Sequence, residues 1–175
     1  MEATVTLRRF EPDDVAAVHS WFNDAATTAA LLEQRASFSA EDARDWVERA
    51  AAEVGEDRKW ALEVPGLDTA AGFTALYGLG GQIAPEVGIL LAPLARGRGL
   101  AAQALRLTVE QAFETLGAHR VYARILSSND ASRHVFASLG FRQEGTLRAH
   151  VRRGEALIDV ELWGLLRDEL APAER

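Results

Sequence analysis

The sequence of 175 residues contains no cysteine. Disulfide bonds, thiol catalysis and zinc–thiolate sites are therefore excluded. The four histidines are never three or four residues apart, so the sequence offers no local pair of metal ligands. They are His19, His119, His134 and His150. We expect no metal site.

Long apolar runs are lacking as well. No stretch approaches the roughly 20 consecutive apolar residues that span a membrane. The amino terminus carries Glu2 and has no basic segment followed by an apolar run, so no signal peptide is visible. We expect a cytoplasmic protein that does not act at a membrane.

Basic residues are in deficit, with 19 against 26 acidic residues and a formal net charge of −7. Nonspecific nucleic-acid binding needs clustered Lys and Arg that outweigh the acids, so no nucleic-acid partner is expected. An amine substrate would be tolerated better by such a chain. The length and the 48% hydrophobic content fit one globular domain over residues 1–175.

The first third of the chain is predicted to be mostly helical. Residues 4–9 alternate like a strand, and apolar residues then recur at helical spacing up to Asn23. A short helical piece is expected through Leu31 and Leu32. Ser39 and Asp42 resemble a capping box, and the helix that follows should end at Gly55.

From Lys59 onward a three-stranded meander is expected, followed by a long helix ending at Gly117, a strand, a helix between Asn129 and Gly140, and a hairpin. The expected strands in this part cover residues 60–64, 71–79, 83–91, 121–125, 141–151 and 156–165. This order predicts a mixed α/β (α+β) fold with a largely antiparallel central sheet flanked by helices.

The segment that opens the long helix carries the clearest chemical signal. Its residues are Arg96, Gly97, Arg98, Gly99, Leu100 and Ala101. Two glycines let the backbone approach a ligand closely, a helix amino end attracts anions, and two arginines add charge. We therefore expect a diphosphate-binding loop.

Two other interpretations of the glycines are open. The residues could form a plain turn with solvated arginines. Gly97, Gly99 and Ala102 also fit the dinucleotide pattern G-x-G-x-x-A. Against the dinucleotide interpretation, the next strand ends in Leu126-Ser127-Ser128 without an acidic residue for a ribose, and the motif lies in the middle of the chain.

Residues 96–101 match the signature R/Q-x-x-G-x-G/A in full, and in this the chain resembles the GNAT superfamily of N-acetyltransferases. Over nearly its whole length it is similar to the RimJ/RimL-type branch. The further matching positions are Leu7–Arg9, Trp21–Asp24, Glu86–Leu91, Asn129, Ser132, Gly140, Phe141, Glu144 and Gly145.

The resemblance implies a fold in which two strands splay apart at a bulge to hold acyl-CoA. Main-chain groups near Ile89, Leu90 and Leu91 would pair with the pantetheine arm. The amides of residues 96–101 would hold the pyrophosphate. Asn129 would reach the pantetheine or thioester region, and it could serve as a helix cap at the same time.

Acetyl transfer to an amine requires a group that removes a proton from the ammonium form. We propose Glu86 as this base, because period-two alternation places it on the strand face opposite Val87 and Ile89. The alternative is a solvent-facing residue at the start of the strand. Asp159 and Glu161 are further acidic candidates.

Many relatives carry a tyrosine as general acid where this chain has Phe136, which donates no proton. Ser132, one helical turn after Asn129, is the substitute candidate, although it is equally an ordinary residue of the first turn. Water could protonate the thiolate instead.

The resemblance also implies that the first helices cover the acceptor cleft. Trp21, Asn23 and Glu33 are the candidates for binding the acceptor, with Trp46 nearby, and packing in the core is the alternative for both tryptophans. The implied function is acetyl transfer from acetyl-CoA to a small amine or a protein amino terminus, with a homodimer as an expected form of the protein. The rival is a noncatalytic acyl-CoA-binding module.

Overall fold

A computed structural model of the chain describes residues 4–34, 37–52, 55–81 and 84–171. The described residues form one seven-stranded sheet and five α-helices. The strands are β1 (Thr6–Arg8), β2 (Arg58–Glu63), β3 (Gly72–Tyr77), β4 (Glu86–Leu91), β5 (Arg120–Leu126), β6 (Arg142–Arg153) and β7 (Ala156–Leu166). The helices are α1 (Val15–Asn23), α2 (Ala25–Ala29), α3 (Ala40–Ala52), α4 (Leu100–Glu110) and α5 (Asp130–Ser138).

The sheet has the order β1-β2-β3-β4-β5-β7-β6. Each described neighbouring pair is antiparallel except β4 and β5, which run parallel. The predicted mixed fold with a largely antiparallel sheet is thus confirmed. The parallel pair matters most for function, because the connection between β4 and β5 carries the loop at residues 96–101 and α4.

Helices cover both faces of the sheet. On one face α1 and α3 pack over an aromatic cluster in which Trp46 contacts Phe10 and Phe73, with ring centroids 5.0 Å apart in both pairs. On the other face α4 and α5 pack over the alternate residues of the central strands, among them Val87 and Val121. The side chains of β4 and β5 therefore alternate between two separate layers.

Helix boundaries follow local capping. Ser39 and Asp42 form the predicted capping box: the amide of Asp42 donates to the Ser39 hydroxyl at 3.0 Å, and the amide of Ser39 donates to the Asp42 carboxylate at 2.9 Å. Residues 53–54, just before the expected end of α3 at Gly55, lie outside the described residues, as do residues 82–83 before β4. After α4 the helix continues as a π-helical turn over Gln111–Thr115.

The helical piece expected at Leu31 and Leu32 is wrong. The helix there is α2, which begins after Asp24 because the Asp24 carboxylate accepts hydrogen bonds from the amide and hydroxyl of Thr27 at 2.7 and 2.6 Å. None of the helices in the described part of the chain is long and apolar enough to cross a membrane.

Candidate active site

The central feature of the site is an opening between β4 and β5. In the described residues the two strands pair at one position, Glu86 with Tyr122, and the Tyr122 amide donates to the Pro85 carbonyl at 3.2 Å. Beyond this point β4 stays with β3 and β5 stays with β7. The main-chain groups of Ile89 to Leu91 that face β5 are thus left without a strand partner there, as the resemblance implied.

The expectation of a bulge at this place is wrong. Pairing of β3 with β4 is regular from Gly72–Leu91 to Tyr77–Glu86, without a register shift. The opening arises because β5 diverges from β4. Register shifts occur instead in β6, where Ala149 has φ +53° and its amide donates to the Asp159 carboxylate at 2.7 Å.

The loop at residues 96–101 lies at the wide end of this opening, where β4 has ended. Gly97 and Gly99 have φ of +70° and +73°, a left-handed conformation that favours glycine. Gly99 is the N-cap of α4 and provides no side-chain cap, so the first amides of α4 are open to a ligand. The space around both glycines is clear within 4 Å of where a Cβ would lie.

The amide and the guanidinium of Arg96, which were expected to face the diphosphate, are engaged elsewhere. Its amide donates to the Pro93 carbonyl at 3.3 Å, so this amide is already engaged in a turn. Its guanidinium points away from the helix end, with Nε 3.2 Å from the Leu91 carbonyl and Nη2 2.5 Å from the Thr27 hydroxyl. Arg96 therefore fixes the loop against β4 and α2 through its side-chain hydrogen bonds. Both Arg96 and Arg98 are exposed.

The Thr27 hydroxyl joins Arg96 to Asp24, since it accepts from Arg96 and donates to the Asp24 carboxylate. The hydrogen bonds from Thr27, and after them the charge of Arg96, lower the pKa of Asp24. The start of α2, with Asp24 and Thr27, thus anchors the distant loop through Arg96.

Asn129 lies just beyond the end of β5, on the other side of the wide end. Its side-chain oxygen accepts from the Ser132 amide at 3.1 Å and caps α5. Its Nδ2 group has no partner within the described part of the chain, which leaves it available to a ligand. Both roles that the sequence suggested for Asn129 are therefore compatible with the structure.

Glu86 lies at the narrow end of the opening. Its two carboxylate oxygens are each 3.0 Å from Nε of Arg124, and the Tyr122 hydroxyl is 3.4 Å from Oε2. The Glu86 side chain is 16% exposed, so it is largely shielded but accessible. Burial first, and then the Glu86 charge, raise the pKa of Tyr122, so this hydroxyl keeps its proton at neutral pH.

A second tyrosine lies beside Glu86. Tyr77 pairs with Glu86 across β3 and β4, and its ring covers Gly88, where a Cβ would come within 3.2 Å of the ring. Lys59 Nζ lies 5.1 Å from the ring centroid. Burial, followed by the charges of Asp57 and Glu86, raises the pKa of Tyr77 to about 12.

Ser132 and Glu86 lie at opposite ends of the opening and on opposite faces of the sheet. Glu86 shares its face with Tyr122 and Arg124, whereas α5 packs on the face of Val121 and Ala123. The four residue steps from Tyr122 to Leu126 alone span about 13 Å. The two side chains therefore approach the opening from different sides.

A cleft of about 310 Å³ adjoins Glu86 through Arg124. Its other walls are Leu32 and Glu33 after α2 and residues 150–153 of β6. The two sides are joined by Arg153, whose Nη2 donates to the carbonyls of Leu31 and Leu32. Of the three candidate acceptor residues, the structure thus places Glu33 at the cleft.

Trp21 and Asn23 do not line this cleft. Trp21 is 3% exposed and stacks on Phe73 at 6.4 Å, so the core-packing interpretation applies. Asn23 holds the segment before α3, with its Nδ2 2.8 Å from the Phe38 carbonyl and 2.9 Å from the His19 carbonyl. Core packing therefore describes Trp21, whereas a contact of the exposed Asn23 with an acceptor stays a prediction.

Phe136 is buried, and its ring packs edge-to-face on Phe141 at 4.9 Å. Of the two further acidic candidates, Glu161 is buried and accepts from Trp163 Nε1 at 2.9 Å, and Asp159 holds the bend in β6. Neither Asp159 nor Glu161 lines the cleft beside Glu86. Sequence reasoning missed Tyr122 and Arg124, and the alternation of β5 is the signal that could have placed them on one face.

Comparison with protein families gives a direct match: residues 4–142 fit the model of the acetyltransferase (GNAT) domain. A Bacillus subtilis (strain 168) relative described as an uncharacterized N-acetyltransferase, YnaD, is 25% identical over 163 residues, 93% of this chain and 94% of that protein. The spermidine N(1)-acetyltransferase of Escherichia coli (strain K12) is 32% identical over 62 residues, 35% of this chain and 33% of that protein.

Solved structures agree in fold. A spermidine N-acetyltransferase from Vibrio cholerae, in complex with CoA and spermine, has a TM-score of 0.85 at 21% identity and covers 95% of this chain and 97% of its own. Mycobacterium smegmatis RimJ, in complex with CoA-disulfide, has a TM-score of 0.82 at 22% identity and covers 97% of this chain and 85% of its own. At these identities the likeness shows the fold alone.

Proposed function

Because this chain belongs to the acetyltransferase (GNAT) domain family and is an acyltransferase, we propose that it transfers an acetyl group from acetyl-CoA to a primary amine. The observation that carries the proposal is the opening between β4 and β5, with a glycine-rich helix start at its wide end and Glu86 at its narrow end. The two ends offer separate places for a diphosphate and for the reacting groups.

The donor side of the opening fits the elongated shape of this cosubstrate. The open amides at the start of α4 suit the pyrophosphate. From Leu91 back to Glu86 the strand spans about 17 Å, and its main-chain groups that face β5 without a strand partner suit the extended pantetheine arm. Acetyl-CoA supplies an activated thioester, and the residues of this chain have to position it and move protons.

Glu86 is the proposed general base. Its carboxylate accepts the proton of the attacking ammonium group, directly or through one water, so that the amine nitrogen has a free lone pair. Arg124 holds the carboxylate in place through both oxygens. Oε2 also accepts from the Tyr122 hydroxyl, whereas Oε1 keeps a second lone pair for the incoming proton.

Tyr122 is the proposed hydrogen-bond donor on the leaving-group side, where Phe136 has no hydroxyl. Its hydroxyl lies on the face of Glu86 and keeps its proton at neutral pH. Ser132 remains an alternative donor from the other face, with water as a relay.

We propose a small amine or a protein amino terminus as acceptor. The spermidine-acetylating relatives support the small amine, and the RimJ/RimL-type resemblance supports the protein amino terminus. A homodimer is proposed as well, and a location in the cytoplasm stays the proposal made from the sequence. The rival function is an acyl-CoA-binding module without turnover, which the loss of a hydroxyl at Phe136 favours.

The experiment mixes the protein with acetyl-CoA and a panel of amines and follows release of the CoA thiol. Glu86→Gln should lower kcat/KM by about 10²-fold or more, the usual contribution of a general base, and leave acetyl-CoA affinity unchanged. Glu155→Gln, in the exposed β6–β7 turn, is the matched control. Donor binding without turnover on any amine would favour the binding module.

A further inference from the structure

The cleft beside Glu86 has a local charge opposite to that of the whole chain. Its walls contain Arg124, Arg152, Arg153 and His150 and one acidic residue, Glu33, in a protein with a net charge of −7. Glu86 adjoins the cleft through its ion pair with Arg124. Glu86 thus lies at the end where the amine has to react, next to Arg124, and basic side chains predominate along the wall formed by β6.

Arg124 has bonding capacity beyond its ion pair. Only its Nε contacts Glu86, at 3.0 Å from both oxygens, and its two Nη groups have no partner within the described part of the chain. The side chain is 40% exposed where it lines the cleft. A guanidinium with free Nη groups suits a carboxylate, because the two planar groups can share two parallel hydrogen bonds.

Arg152 is exposed, and it too has no partner within the described residues, whereas Arg153 is already engaged with the Leu31 and Leu32 carbonyls. Free guanidinium groups on two walls of one small cleft oppose a second positive charge on the acceptor. Repulsion between these guanidinium groups and a second ammonium group would disfavour an acceptor with two positive charges.

We infer that the acceptor is an amine that also carries a carboxylate, with its ammonium group toward Glu86 and its carboxylate toward Arg152 and the free Nη groups of Arg124. This inference rests on the proposed function. A polyamine would instead place a second ammonium group among arginines. The volume of about 310 Å³ suits a small molecule and lies at the lower end of ligand pockets.

The test uses three acceptors of one chain length: 6-aminohexanoate, hexylamine and 1,6-diaminohexane. In thiol-release assays at low salt, kcat/KM should be about tenfold higher for 6-aminohexanoate than for hexylamine, and lowest for the diamine. The advantage should shrink as salt is added, because the cleft is open to solvent. A higher kcat/KM for the diamine than for 6-aminohexanoate would overturn the inference and leave the proposed function standing.

A binding measurement decides the same question without turnover. In the presence of CoA, calorimetric titration should show 6-acetamidohexanoate binding about tenfold more tightly than N-hexylacetamide. Equal affinities would overturn the inference even if acetylation is observed. Absence of thiol release with every amine would instead remove the proposed function.

A charge-reversing substitution tests whether the preference for 6-aminohexanoate arises in the cleft. Arg152→Glu should abolish the preference for 6-aminohexanoate and move it toward the diamine. Arg44→Glu makes the same change on the exposed side of α3, which packs near β2, several strands away from the cleft. The preference should survive in this control; the same loss in both variants would overturn the assignment of the carboxylate to the cleft.

Discussion

Glu86 and Tyr122 form the one residue pair through which β4 and β5 meet within the described part of the chain, and the two side chains also contact each other at 3.4 Å. The pair marks the point from which the two strands diverge. Because the same two residues close the opening and supply a carboxylate and a hydroxyl to it, the geometry of the sheet positions the proposed chemistry.

The Tyr122 hydroxyl is expected to contribute to turnover and not to donor binding. Tyr122→Phe removes this hydroxyl from the side of Glu86 and keeps the ring. We expect kcat/KM for the amine to fall about tenfold or more, with the dissociation constant of acetyl-CoA unchanged. Thiol release at saturating acetyl-CoA measures this, and an unchanged rate would leave Ser132 or water as the donor.

The left-handed glycine at the start of α4 is expected to be required for the donor. Gly99→Val forces a β-branched residue into φ +73° and costs about 1–2 kcal/mol of stability. If the backbone relaxes, the amides turn away from the diphosphate, and the affinity for CoA should fall more than about tenfold.

Gly66→Val is the matched control for that substitution, since Gly66 has φ +85° in the turn between β2 and β3 and equally open space. It should lose comparable stability in thermal unfolding and retain CoA affinity in calorimetry. Equal losses of affinity in both variants would show that strain, and not the loop, is responsible.

The hydroxyl of Thr27 is expected to support the donor loop through Arg96. Thr27→Val keeps the shape of the side chain and removes the acceptor for Arg96 Nη2. Loss of this hydrogen bond, about 1 kcal/mol, should raise the CoA dissociation constant a few-fold. Thr28→Val is the control, because the Thr28 hydroxyl bonds only the Asp24 and Ala25 carbonyls. A similar change in both would contradict a role for Arg96 anchoring.

Tyr77 is expected to make stability depend on pH in the alkaline range. Its pKa is raised from the ordinary 10.0 to about 12, so the folded chain retains a proton that the unfolded chain loses. The contribution of the protonated Tyr77 hydroxyl to the free energy of unfolding is fully present below pH 10 and is lost as the pH rises to about 12. This contribution is on the order of 2–3 kcal/mol.

Urea unfolding at several pH values between 9 and 11.5 measures this dependence. The free energy of unfolding should fall more steeply with pH in the wild-type protein than in Tyr77→Phe. Parallel curves would mean that the Tyr77 hydroxyl titrates normally.

Much of the fold could be predicted from local patterns. The alternation in β4 correctly separated Glu86 from Val87, and the Ser39–Asp42 capping box correctly placed the start of α3. The start of α2 was missed because the cap at Asp24 has no accompanying apolar stripe in so short a helix. The supposed bulge was wrong because divergence of two strands has no signature in one strand alone.

The site was predictable only in part, for a related reason. The phosphate-side loop and Glu86 stand out by residue type, whereas the partners of Glu86 are 36 and 38 residues away in sequence. Their selection depends on how β4 and β5 pair. Trp21 was assigned to the acceptor cleft by resemblance, although the packing of α1 buries it in the aromatic core.

The sequence by itself determined the order of the elements, the faces that each buries and the conformation of Gly97 and Gly99, because these depend on neighbours within a few residues. Only the tertiary structure decided that Arg96 turns toward Thr27, that Arg124 holds Glu86, and that Glu33 faces β6 across a cleft. These contacts join distant segments, and the register of the sheet, set by the packing of the whole core, determines which side chains meet.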